Sequence, residues 1–396
     1  MSSNVNKIRD DFKCLKDGKI IYFDNACQFL RPRQVLEAMD EYYNEYPACG
    51  ERSLHKWGAR VTQEVEITRR KVAKLINASP DEIVFTKNTT EGINIVASGL
   101  EWKSGDVVVV DEKAHNSNLL PWLRLRDRGI LVQPERIVLV EPVQYEAKLL
   151  AITASSQIDG EVTDVASIRK QTKALLLVDA AQYIQHHKID VKKWGADFVA
   201  FSGHKMLGPS GTGILYVKKS AQKLLKPLML GGGTVSSVSL VQPERNPLVE
   251  PVGGYELLPF PECFEAGLQN YAGIIGLGAA CDYIERIGYK NIEKQEAELG
   301  RYARKGVEGM KGVKGLGENK ESPIVTFYFD NIDSHQIALM LSEQGIAVRS
   351  GKFCSHAWFD KYEIPDCVRV SLAFYNTKEE IDIFLEKLYD VMRVLE

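Results

Sequence analysis

The sequence predicts a large α/β domain built on a mostly parallel sheet, followed by a smaller α+β domain. Three observations carry that prediction. Short, near-continuous apolar runs, the four valines at 107–110 and "ALLLVDAAQ" at 174–182, suit strands buried on both faces. Helical stretches separate the runs, the alternation of an α/β domain. The chain has 396 residues, more than one core usually spans, and its texture changes past about residue 265.

In chain order, residues 1–20 read as a polar N-terminal arm packing with the small domain. "KIIYFDNA" reads as a short strand ending in a turn. Residues 60–77 carry Val61, Val65, Val72, Leu75 and Ile76 among charges, the pattern of an amphipathic helix. "DEIVFTKNTTEGINIVASGL" gives a strand, a polar turn and a helix starting near Thr90. "ADFVAFSGHK" and "GTGILYVKK" add apolar strands within a large domain spanning 21–265. Over 266–396 come a small-residue helix, "YAGIIGLGAACDYIERIG", strand-like "PIVTFYF" and a helix near 334–344. "IAVRS", "CVRVSLAFY" and a terminal amphipathic helix complete the small domain.

Bulk composition narrows the function. With 44% hydrophobic and 26% charged residues and a net charge of −3, the chain has no basic footprint for nucleic acid or an anionic membrane surface. No apolar run approaches the ~20 residues that span a bilayer. The opening "MSSNVNKIRDDFKCLKDGK" lacks the apolar core of a signal peptide, so a cytoplasmic protein is expected. Seven scattered cysteines with no CxxC argue against a disulfide framework or a zinc ribbon.

The stretch "SGHKMLGPSGTGILYVKK" poses a sharper question, because Lys205 sits in glycine-rich sequence between two short strands. A phosphate-binding P-loop needs its glycines before the lysine and a helix after it. Here the glycines follow the lysine and a strand follows the glycines. Upstream, "LLLVDAAQ" ends a buried strand on Asp179, with Gln182 three residues later. Functional groups of a doubly wound sheet gather at such carboxyl ends. A buried acid followed by a lysine suits pyridoxal 5'-phosphate: the lysine forms a Schiff base and the carboxylate keeps the pyridine nitrogen protonated.

"DAAQ", "SGHKMLGPSGTGILYVKK", "GGGTV", "FEAGLQN" with "GIIGLGAA", "RSGKFC" and "VRVSLAFYNTKEEID" occur in this order. Together they make the chain from about residue 20 onward resemble the class V aminotransferase-fold enzymes, and most of all the SufS-type, or group II, cysteine desulfurases. The resemblance implies the fold type I architecture of pyridoxal phosphate enzymes. It assigns Lys205 to the Schiff base, Asp179 to the pyridine nitrogen, Gln182 to the phenolic oxygen and His115 to the ring face. Thr90, Ser202 and His204 would bind the phosphate, with Gly231–Thr234 completing that site from the neighbouring subunit of a homodimer.

Cys354 matches the family's catalytic cysteine, which takes sulfur from L-cysteine as a persulfide and leaves L-alanine. Lys352, Arg349 and His356 lie near it in sequence and are candidates for lowering its pKa. Arg369 would grip the substrate carboxylate, with Asn25 and Gln157 beside it. The short segment before Cys354 resembles the group II branch, whose members hand sulfur to an acceptor protein. Several positions depart from the family pattern. Gln157 stands where an asparagine is usual, Ala154 replaces a histidine, "GLQNY" replaces "GTPNT", and Cys27 and Cys49 are extra. These departures leave the cofactor chemistry intact and bear on substrate preference and sulfur handling. The alternatives are selenocysteine lyase, another C–S lyase, or a class V transaminase or epimerase, which would need no thiol at Cys354, and an idle scaffold, against which Lys205 and Asp179 speak. The extra cysteines also raise a metal site formed by Cys27, Cys49 and Cys354.

Overall fold

Seven strands form the main sheet: β1 (Ile83–Thr86), β2 (Val107–Asp111), β3 (Leu131–Glu135), β4 (Leu149–Thr153), β5 (Leu175–Asp179), β6 (Phe198–Ser202) and β7 (Gly213–Val217). The computed structural model describes residues 2–16, 18–51, 53–137, 147–240 and 253–395. Across the sheet the order is β1-β7-β6-β5-β4-β2-β3. β7 runs antiparallel to both neighbours, while the adjacent pairs from β6 to β3 are parallel. Both faces are covered, which is why the strands read as unbroken apolar runs. Val109, Leu150, Ile152 and Val178 face one core, and Val108, Val110, Leu149 and Leu177 face the other.

Helices α1 (Arg33–Glu45) and α2 (Lys56–Leu75) pack against α4 (Tyr271–Ile287) over the first core, and α3 (Thr89–Gly99) covers the second. The small residues of α4 permit that packing. A Cβ at Gly276 would lie 2.8 Å from Pro209 Cγ and 2.9 Å from Met39 Cγ, and one at Gly278 would lie 2.4 Å from Thr68 Oγ1.

After α5 (Tyr289–Glu308), the small domain forms an antiparallel sheet of β8 (Val313–Leu316), β9 (Ile324–Phe329), β10 (Arg349–Gly351) and β11 (Cys367–Ser371), in the order β8-β9-β11-β10. Its core joins Phe327 and Val370 to Phe384 and Leu388 of α7 (Lys378–Leu395), while the short helix α6 (His356–Lys361) follows β10. The N-terminal arm is woven into this part of the chain. Arg9 donates to the Tyr375 carbonyl at 2.8 Å and pairs with Glu380 at 2.8 Å. Ile21–Tyr22 pairs in parallel with Ile346–Ala347, which leads Asp24–Cys27 to the end of the large sheet.

Candidate active site

The carboxyl ends of β4, β5 and β6 and the start of α3 meet at a cavity of about 250 Å³. Asp179, the last residue of β5, is 5% exposed, and its Oδ1 accepts from the Ala181 amide at 3.0 Å. Burial pushes its pKa from 3.8 up to about 6, against the opposing pull of that amide and of Lys205. Lys205 ends the turn that follows β6, and its Nζ donates to the Ala26 carbonyl at 2.6 Å. Burial and then the charge of Arg369 lower its pKa from 10.5 to about 8.

One end of the cavity gathers hydroxyls at a helix start, donors that could hold an anion. α3 begins beside Asn88, whose side chain caps it by accepting from the Glu91 amide at 3.0 Å. The Thr90 hydroxyl lies 2.7 Å from that of Ser117, and Ser202 Oγ accepts from the Thr89 amide at 2.9 Å. Gly213 opens β7 against this cap: a Cβ there would lie 2.6 Å from Asn88 Cα. This glycine after Lys205 therefore serves backbone packing and not a P-loop. His204 lines the same cavity, and burial followed by Lys205 lowers its pKa to about 4.

His115 lines the cavity from the loop after β2, and its Nδ1 accepts from the Ser117 amide at 3.1 Å. Burial, with Lys205 and Arg369 behind it, holds its pKa near 4, so the ring is neutral at pH 7. Gln182 donates to the Ala26 carbonyl at 2.7 Å, and its Oε1 accepts from Gln185 Nε2 at 2.7 Å. Gln185 Nε2 also lies 2.8 Å from His186 Nε2, and His186 Nδ1 lies 2.7 Å from Glu296 Oε2. A carbonyl can only accept, so Ala26 fixes which end of Gln182 faces it, and the buried Glu296 carboxylate fixes the far end of the series.

The small domain brings Arg369 on β11 and Cys354 after β10 to the same cavity. Arg369 Nη1 donates to the Gln157 carbonyl at 2.9 Å, Nη2 lies 3.5 Å from Asp24 Oδ1, and the guanidinium sits 4.7 Å from the Phe353 ring centre. Its buried Nε has no protein partner, which suits a carboxylate ligand. The exposed Cys354 and the buried Phe353 both have left-handed backbone, at φ +58° and +49°. Such conformations cost about 1–3 kcal/mol each. Of the basic residues near Cys354 in sequence, Lys352 reaches Asp360 and His356 faces Asn116, whereas Arg349 lines the cavity.

The family model for aminotransferase class-V matches residues 21–384. The chain belongs to the aminotransferase class-V family. A probable cysteine desulfurase of Methanothermobacter thermautotrophicus is 42% identical over 402 residues, covering 97% of each chain. The cysteine desulfurase of Salmonella agona is 34% identical over the whole of both chains. Among solved structures, an apo cysteine desulfurase from Thermococcus onnurineus superposes with a TM-score of 0.90 at 36% identity, covering 98% of each chain. The S-sulfonic acid form of a cysteine desulfurase from Escherichia coli gives 0.88 at 28% identity, covering 99% of each. The parallel sheet with covering helices is the fold type I architecture expected of this family.

Not every residue expected at this family's site reaches substrate space. Asn25 is fully buried away from the cavity, bonded to the Ser371 carbonyl at 2.7 Å, to Asn376 Oδ1 at 3.1 Å and to the Tyr375 hydroxyl. It ties the Asp24–Cys27 segment to the small domain, so the substrate contact expected of it does not fit its placement. Gln157 does line the cavity, yet its Nε2 is engaged by the Lys113 carbonyl at 3.1 Å and by Ser355 Oγ. Cys27 is half-buried in the cavity, whereas the exposed Cys49 lies outside its lining. Among the described residues, no three His, Cys, Asp or Glu side chains are grouped to hold a metal. Asn116, Ser117, Ser355 and the series from Gln185 to Glu296 escaped sequence reasoning. Only the polar run "AHNSN" beside His115 hinted at any of them.

Proposed function

We propose that this chain is a pyridoxal 5'-phosphate-dependent cysteine desulfurase that turns L-cysteine into L-alanine and keeps the sulfur as a persulfide on Cys354. The observation that carries this reading is a single cavity lined by a thiol, Cys354, a lysine of depressed pKa, Lys205, and a buried carboxylate, Asp179.

The cavity suits the cofactor on its own chemistry. Hydroxyls and the first turn of α3 offer donors to a phosphate, and Asp179 offers a carboxylate to a protonated ring nitrogen. When bound, pyridoxal phosphate supplies an electron sink for the substrate's α-carbon. Thr90, Ser202 and His204 hold the phosphate in this reading, and His115 lies against the ring. Asp179, ionised above about pH 6, keeps the ring-nitrogen proton in place. Gln182 turns an N–H toward the phenolic oxygen, an orientation supported by its bond to the Ala26 carbonyl. Lys205 bonds the cofactor and then moves the α-proton at Nζ, for which a pKa near 8 leaves free amine at neutral pH.

Arg369 takes the substrate carboxylate through its fork. The Cys354 thiolate attacks the substrate sulfur: an S–S bond forms, the C–S bond breaks, and its electron pair stays on carbon, which is protonated and leaves as alanine. Exposure of Cys354 supports passage of the sulfur to an acceptor protein. A two-fold homodimer is supported by the exposed Val238 and Tyr255 of the hairpin formed by Val235–Leu240 and Gly253–Leu257. Gly231–Thr234, which lies outside this cavity's lining, would then complete the partner's phosphate site.

Incubating the loaded enzyme with L-cysteine and a reductant, with sulfide and alanine measured together, tests the reading. Cys354→Ala should lose both products and keep the cofactor absorbance. Sulfide released from cysteine at the parent rate by that variant would refute it.

A further inference from the structure

Around Cys354 the chain is held residue by residue, and the hold passes through Gln157. The Cys354 carbonyl accepts from the Asn116 amide at 2.7 Å, Asn116 Nδ2 lies 3.1 Å from His356 Nδ1, and Phe353 is wedged beneath Arg369. Ser355, 1% exposed, receives its side-chain hydrogen bond from Gln157 Nε2. The same Nε2 also donates to the Lys113 carbonyl, so both of its hydrogens are engaged. The Gln157 carbonyl meanwhile receives Arg369 Nη1.

We propose that Gln157 is a positioning residue for Cys354, clamping the nucleophile's segment to the large domain through Ser355, and not a ligand of the substrate. The inference rests on Cys354 being the sulfur acceptor. Two consecutive non-glycine residues with positive φ do not keep that conformation unless their surroundings impose it. Asn116 holds the Cys354 carbonyl and Gln157 holds the Ser355 hydroxyl, so the conformation is imposed at the nucleophile and at the residue after it. The main-chain carbonyl of Gln157 also receives Arg369, so one position sets the spacing between the group that holds the substrate carboxylate and the group that receives its sulfur. A nucleophile displaced by about 1 Å costs up to roughly 100-fold in rate. A donor to the substrate carboxylate would instead act on affinity.

The test compares Gln157→Ala, Ser355→Ala and the double variant as loaded enzymes. Each single variant should lower kcat for L-cysteine by roughly 10- to 100-fold with KM within about twofold of the parent. The double variant should be no slower than either single one, because both remove the same contact. Without substrate, amide hydrogen exchange over residues 350–359 should quicken in all three. A raised KM with kcat kept in Gln157→Ala, or multiplied losses in the double variant, would overturn the clamp. Ser355→Ala leaves the Gln157 side chain bonded to Lys113 and carries the test if Gln157→Ala folds poorly; the Arg369 bond is to the Gln157 main-chain carbonyl and is kept in every variant. Unchanged exchange in Ser355→Ala overturns the clamp whether or not the parent releases sulfide, which separates this failure from failure of the desulfurase reading.

Discussion

Replacing Asp179 with asparagine should stabilise the cofactor-free protein while disabling the enzyme. Asp179 is 5% exposed and its pKa rises from 3.8 to about 6 through burial. A carboxyl with a raised folded pKa binds more protons in the folded than in the unfolded chain. Its contribution to stability therefore falls as pH climbs from about 4 to about 6, and stays low above that. A shift of about two units amounts to about 3 kcal/mol. Asparagine has nearly the same shape and no charge to desolvate. Cofactor-free Asp179→Asn should then be more stable than the parent by up to about 3 kcal/mol at pH 7.5, and by little near pH 4. Lys205 loses an attractive neighbour in the variant, so the full figure is an upper bound. Asp111, raised to about 6 by burial in both proteins, cancels in the comparison. Urea unfolding at the two pH values measures the difference. Cofactor should reverse the order, because asparagine cannot hold a proton on the ring nitrogen. Equal stability at pH 7.5, or a gain of the same size at both pH values, would refute the reasoning.

Two further outcomes follow from the packing. Glu265 grips Arg69 with both oxygens, at 2.7 and 3.0 Å, and also accepts from the Phe85 amide at 2.8 Å, all of it buried. Glu265→Ala should cost about 3–5 kcal/mol in urea unfolding, and a loss below about 1 kcal/mol would show that the stranded Arg69 finds water. Light scattering on the active enzyme should give twice the 44.4 kDa chain mass, and a fully active monomer would remove the borrowed half of the phosphate site.

Asp179 and Lys205 were legible in the sequence because apolar runs fix where strands end, and a sheet's carboxyl edge is where such groups gather. The glycines after Lys205 were legible as unlike a P-loop, although their packing against Asn88 was not. β3 is illegible in the sequence because it is a partly exposed edge strand containing Pro134, with no alternating or continuous apolar pattern. α5 is amphipathic and buries Ile292, Leu299, Ala303 and Val307. The contacts of Asn25 and Gln157 are illegible for a different reason. Which way an amide points is decided by partners such as Asn376, 351 residues away, and Ser355, 198 residues away, and no local pattern encodes them. The series from Gln182 to Glu296 is hidden in the same way.

The charges of the cavity also link substrate binding to the base. Lys205 is held near pKa 8 by burial first and by the Arg369 charge second, with Cys27, Asp179 and Asp24 opposing. A carboxylate bound at Arg369 would neutralise that second influence, so in the proposed mechanism a bound substrate would make Lys205 a stronger base for the α-proton. The rate at which the cofactor-free protein takes up pyridoxal phosphate reports the free amine, so it should rise with pH through about 8. In Arg369→Gln the midpoint should move upward, because the repelling cation is gone and Asp24 loses its partner. It should stay below the ordinary lysine value of 10.5, because burial persists. The visible absorbance of the bound cofactor follows uptake in both proteins. A midpoint that does not move would mean that burial alone tunes Lys205, and that binding of the substrate carboxylate and proton transfer are independent.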